Sequence, residues 1–188
     1  MSNQDSPDDQ SQPVSLSDMV VNSYKRPRAG PIARHISAQA SLRVHEHIGE
    51  ILAFAYSRKP VSRMIENSIP GGGKYLMKAL WEIPRERADR ALLELGLYMR
   101  MIDDAEDISS NHPAIFGPLY KTDGTTEALT IREATNKIIH AERYDWQLLE
   151  QPPSAICYAS PDQASHFKWT KASINLIALA AFCSLLGS

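Results

Sequence analysis

The sequence has little cysteine, no long apolar run and almost no imbalance of charge, and each shortage closes off a class of protein. Its 188 residues hold only Cys157 and Cys183, outside any CxxC pair or zinc-ligand spacing, so neither a disulfide framework nor a thiolate metal site is expected. A reducing cytoplasm is the expected setting. Twenty Lys and Arg face 22 Asp and Glu, a formal net charge of -2. That balance creates no global field for nucleic acid or an acidic membrane and leaves room only for a local basic face. The first 22 residues lack the basic start and apolar run of an export signal. Ser173 to Leu186 is nearly all apolar, but at about 14 residues it falls short of the roughly 20 that span a bilayer. It reads as a buried core helix, interrupted by Asn175 and Ser184. No internal repeat is visible.

What is present resembles an average globular domain: 43% hydrophobic and 22% charged residues, near the usual proportions. The length suits one domain with a real core. Residues 1–33 are rich in Ser, Asp, Gln and Pro, with only Met19-Val20-Val21 as an apolar step. Such a segment cannot bury enough surface to offset the entropy of ordering and reads as an arm. Lys25, Arg26, Arg28 and Arg34 near its end are balanced by Asp5, Asp8, Asp9 and Asp18. The folding unit is therefore expected over 34–188.

Within that unit, Leu42, Val44, Ile48, Ile51, Leu52 and Ala55 recur mostly at three- and four-residue steps, predicting a helix over Ser37–Lys59 that Pro60 ends. A second short helical piece is expected around Val61 to Asn67. Pro70 and Gly71-Gly72-Gly73 make a break, and Lys74 to Trp81 restarts a helical pattern. Pro84 suits the first turn of a central helix reaching about Asp107, with Ala88, Leu92, Leu95, Tyr98, Met101 and Ile102 facing inward. Asn111-His112-Pro113, Gly117-Pro118 and Asp123-Gly124 mark a loop. Thr130 and Glu133, three apart, fit a capping box that opens a helix to about Tyr144. Beyond it, 144–148 and 155–159 read as two short strands around Pro152-Pro153, with a third near His166 to Trp169.

Three motifs carry weak signals. IPGGGKY resembles a phosphate loop, but Ser68 stands where that loop needs Gly and Tyr75 where it needs Ser or Thr, so a hinge is the better reading. Asp103-Asp104-Ala105-Glu106-Asp107 spells the DDxxD of isoprenoid synthases, yet the chain has neither a second acidic motif nor room for their large bundle. Carboxylates at a helix C-terminus oppose its dipole, so a partner such as Arg100 or another arginine is expected. His45 and His47 lie two apart, about 200° around a helix, so they cannot share one metal on one face.

The most informative pattern is Arg132, Asn136 and His140, at i, i+4 and i+8. These drift only about 80° around a helix and form one polar stripe over two turns. Guanidinium, amide and imidazole in line suit phosphate recognition and proton transfer near neutral pH. The alternative is that Asn136 and His140 satisfy buried polar groups of the hairpin or the central helix.

The stretch LTIREATNKIIHAERYDW, residues 129–146, resembles the motif helix of the HEPN superfamily (higher eukaryotes and prokaryotes nucleotide-binding domains). The resemblance implies a mainly α protein, a compact bundle of about five helices with a small β-hairpin before the C-terminal helix. Many members are metal-independent ribonucleases of toxin–antitoxin, defence or RNA-processing systems, and others are non-catalytic binding or scaffold domains. Asn136 and His140 match the Asn and His of the family's Arg-Asn-x-x-x-His signature, while Thr135 stands where catalytic members carry Arg. Arg132 is the nearest upstream arginine. An active site of this type would use His140 as general acid or base, Arg132 against the developing phosphorane charge, and Asn136 to orient the phosphate or the imidazole, without metal or cofactor. The resemblance further implies RNA or a nucleotide as ligand, a homodimer and a cognate antitoxin or other protein as partner.

Overall fold

The computed structural model describes residues 31–68, 75, 76, 78–162, 164 and 168–186. Helix α1 spans Pro31–Ser68, and α2 spans Ile83–Glu106, entered through a π-helical turn at Lys78–Glu82. Ala40, Val44, Ile48, Ile51 and Ala55 of α1 are buried at helical spacing. They face Ala88, Ala91, Leu92, Leu95, Met99 and Ile102 of α2. The two helices run antiparallel, since His47 stacks on Tyr98 while Phe54 stacks on Trp81 at 4.9 Å.

Pro60 lies inside α1 rather than ending it. A proline deprives the carbonyl four residues earlier of its partner. Here that residue is Tyr56, which is exposed, so water can replace the lost bond. Pro84 occupies the first turn of α2 as expected. The arm read over 1–33 falls largely on residues outside those described, as does the glycine run 71–73.

The expected helical bundle with a small hairpin is corrected by a five-stranded antiparallel sheet. After a short helix α3 (Ile108–Asn111) come β1 (Ile115–Lys121) and β2 (Thr126–Thr130), then α4 (Ile131–Ile139). Next are β3 (Arg143–Gln147), β4 (Ser154–Tyr158), β5 (Trp169–Asn175) and the closing α5 (Leu176–Leu185). The strand order is β2-β1-β5-β4-β3, so the last strand made fills the middle, between β1 and β4. Half of what reads as a loop over 111–124 is strand β1. Asp123 and Gly124 do turn, but Gly117 and Pro118 sit inside β1, where the register against β2 slips between Ile115 and Pro118. Such a bulge is where a strand tolerates proline.

The C-terminal helix begins at Leu176 and not at Ser173, because Asn175 caps it. Its Oδ1 accepts from the amides of Ile177 at 2.9 Å and Ala178 at 3.1 Å. Phe116, Leu119, Leu129, Trp169, Ala172 and Ile174 bring the sheet into one core with α1, α2, α4 and α5. No helix among the described residues is long and apolar enough to cross a membrane.

Both thiols are free and fully buried, Cys157 in β4 and Cys183 in α5. Burial raises both pKa values, that of Cys183 to about 12. Since the thiolate is the reactive form, neither cysteine should react with a thiol reagent at pH 8 until denaturant is added. Rapid labelling of the native protein would contradict that burial.

Candidate functional site

Helix α4 starts where Thr130 and Glu133 predict. Thr130 Oγ1 accepts the Glu133 amide at 3.4 Å. It ends at Ile139, short of the expected Tyr144, with His140 as its C-cap. The Tyr144 hydroxyl instead donates to the Ile138 carbonyl at 2.7 Å, which holds the chain as it leaves the helix for β3. Ile131, Ala134, Thr135 and Ile138 form the buried face. Gly96 of α2 makes the close approach possible, since a Cβ there would lie 2.6 Å from Ile138 Cγ2.

On the other face, Arg132 and Asn136 point at the end of α2 and do not form an open stripe. Arg132 Nη1 donates to Asp103 Oδ2 at 2.8 Å and to Asp104 Oδ1 at 2.6 Å. Arg100 binds Asp104 through Nε at 3.1 Å, and its Nη1 donates to Asn136 Oδ1 at 2.6 Å. The Asp103 side chain is fully buried, and its second oxygen accepts the Ser109 amide at 2.7 Å. Two guanidiniums and two carboxylates therefore cancel within one cluster that ties α2, α3 and α4 together. The expected arginine partners of the acidic helix end are Arg100 and Arg132.

Burial acts to raise the Asp104 pKa, but the hydrogen bonds and charges of Arg132 and Arg100 outweigh it and hold the carboxyl below its ordinary 3.8. Arg132 is correspondingly pushed up by its hydrogen bonds to Asp103 and Asp104.

Thr135 is completely buried, and its hydroxyl donates back to the Arg132 carbonyl at 3.0 Å. Position 135 is thus a core position. His140 is exposed. Its backbone amide donates to the Asn136 carbonyl at 3.0 Å, but its ring has no hydrogen bond or ion pair among the described residues. Arg132 and Asn136 therefore lie on α4 and are held by other groups, and His140 stands just past its end as the C-cap.

The remaining histidine motif also separates. His45 Nε2 lies 2.9 Å from the Cys183 carbonyl, whereas His47 Nε2 lies 3.2 Å from Glu94 Oε2. The two rings serve different neighbours, in keeping with their opposed directions on α1. No group of three His, Cys, Asp or Glu among the described residues could hold a metal ion.

A cleft of about 310 Å³ lies elsewhere, where Arg58, Trp81 and Arg85 of the helical layer face β3 and the loop after it. Sequence reasoning missed it because its walls come from segments near 58, 81–85 and 145–150, and no local motif links them. The only signal was that two of the three tryptophans are Trp81 and Trp146.

The chain matches no protein-family model, no curated protein and no solved structure. The likeness of residues 129–146 to the HEPN motif helix rests on those residues alone.

Proposed function

We propose that this protein acts as a non-catalytic binding module and not as a metal-independent ribonuclease. One observation carries the reading: the Arg132 guanidinium is already paired with both Asp103 and Asp104. Stabilising a phosphorane needs a cation whose charge is free to meet the developing negative charge. Arg132 is neutralised, and Arg100 is shared between Asp104 and Asn136. Position 135 offers no substitute, because it faces the core. An exposed His140 alone supplies an acid or base without the groups that would align a phosphate beside it.

The test is incubation of structured and single-stranded RNA with the purified protein in EDTA, at stoichiometric dose, beside a His140→Ala variant. Intact RNA in both reactions is the expected result. Cleavage by the wild type that disappears in the variant overturns the reading and restores the ribonuclease.

A further inference from the structure

The outer seam between α1 and α2 carries an apolar groove that no described residue fills. It measures about 490 Å³ and is lined by Gln39, Ala40, Leu42 and Arg43 of α1 with Tyr98 and Met101 of α2. Ala40 is buried beneath it, whereas Leu42 and Met101 are 61% and 46% exposed. A single exposed leucine on a surface needs no explanation. Two large apolar side chains from different helices, lining one groove, form a patch that calls for a cover.

The polar groups around the groove are already engaged. Arg43 is paired with Glu46 at 2.6 Å, Gln39 lies 3.2 Å from a ring nitrogen of His35, and Tyr98 stacks on His47. With no unpaired charge in its lining, the groove suits an uncharged aliphatic occupant. Its size argues against a separate partner. A stable interface takes about 800 Å² and some 20 residues from each side, whereas six residues line this groove. A tethered segment needs far less contact, because a short flexible linker holds its local concentration on the order of millimolar.

The chain supplies such a segment. Thirty residues precede Pro31, where α1 begins, and Met19-Val20-Val21 is the apolar step among them. Leu42 stands about 16 Å along the helix from Pro31. The stretch from Val21 to Pro31 can span up to about 33 Å, so the step reaches the groove with length to spare. Gly30-Pro31, at the point where the chain would reverse, is a turn-forming dipeptide.

We propose that Met19-Val20-Val21 folds back along the first third of α1 and seats in this groove, against Leu42 and Met101. The contact asks only a few residues to order, so it does not conflict with the polar composition of the rest of the arm. It is also independent of whether the protein cleaves RNA.

Cys157 and Cys183 are buried, so a thiol placed in the groove is the one that reacts. The full-length chain carrying Gln39→Cys is treated with a thiol reagent at pH 8, with and without the further pair Met19→Asp and Val20→Asp. The native arm is expected to slow labelling about fivefold, and the two aspartates to abolish that protection. Leu42→Asp, on the groove side of the contact, should abolish it as well, with circular dichroism unchanged because that side chain is exposed. A control thiol replacing exposed Leu149, in the other cleft, should label at one rate in every background. Equal rates at position 39 with and without the arm substitutions, or protection that survives Leu42→Asp, overturn the proposal. Protection that fades on dilution assigns the groove to a second copy of the chain and overturns it too.

Discussion

Replacing Gly117 by alanine is expected to destabilise the protein by about 4 kcal/mol, lowering its melting temperature by about 10 °C. Two independent costs add at this residue. Its φ of 146° lies where L side chains are rarely found, and a Cβ there would sit 2.2 Å from the backbone oxygen of Ser173. That oxygen belongs to β5, so the clash can be relieved only by moving the central strand away from β1. Backbone strain of this kind costs about 1–3 kcal/mol, and overpacking a tight site costs a similar amount. Urea unfolding of the two proteins checks it. An unchanged midpoint would mean that the bulge between Ile115 and Pro118 is not formed as described. Gly124, also at positive φ but with nothing within 4 Å of its missing Cβ, should tolerate alanine with the strain cost alone.

The second large effect is expected at Asp103. Its buried carboxylate accepts the Ser109 amide and the Arg132 guanidinium. Asp103→Ala leaves the amide without that acceptor and removes a charge-assisted bond, which should cost about 3 kcal/mol. Asp103→Asn can keep the amide bond but turns a donor or a neutral oxygen toward Arg132, so it should fall between the alanine variant and the wild type. Asp104 is half exposed, and the pair it makes is screened by solvent. Its influence is legible in the pH dependence instead. Because the folded carboxyl titrates below its ordinary value of 3.8, the stabilisation it gives is complete above that value. It is lost as pH falls through the depressed one. Asp104→Asn should therefore flatten the acid limb of the stability curve and leave the neutral region nearly parallel. Chemical unfolding between about pH 2 and pH 7 measures both variants.

The helices were largely legible because their burial repeats at three and four residues. Pro84 and the Thr130-Glu133 pair then marked two starts correctly. The sheet was half legible, for a reason visible in two strands. β1 carries Gly117 and Pro118, ordinary loop residues that here serve a bulge. β5 buries Trp169, Ala172 and Ile174, and a register slip against β1 between Tyr120 and Lys121 shifts the alternation by one residue. A pattern that changes phase midway fits neither the period of a strand nor that of a helix. β3 and β4 keep their register throughout, and their residue pattern predicts both to within one residue.

At the site, the spacing of Arg132 and Asn136 on one face was legible, but their partners were not. Arg132 meets Asp103 and Asp104 across a separation of 28 or 29 residues. A helical wheel says which side chains share a face and nothing about what comes to meet them. The same limit hid the cleft's wall, where Phe54 and Arg58 sit one turn apart on α1 and both meet Trp81 from the next segment.

The placement of β5 bears on the order in which the protein can be made. β1 with β2, and β3 with β4, are neighbours along the chain and can pair as soon as each is synthesised. They are not neighbours of one another. Until Trp169–Asn175 emerges, the growing chain carries two separate ribbons whose inner edges, on β1 and β4, have no partner. Unpaired edges of this kind recruit strands from other molecules. A nascent chain truncated before residue 169 is therefore the species most exposed to aggregation. Its completion depends on the last of the sheet's five strands along the chain, and α5, capped by Asn175, follows at once to close the core over it.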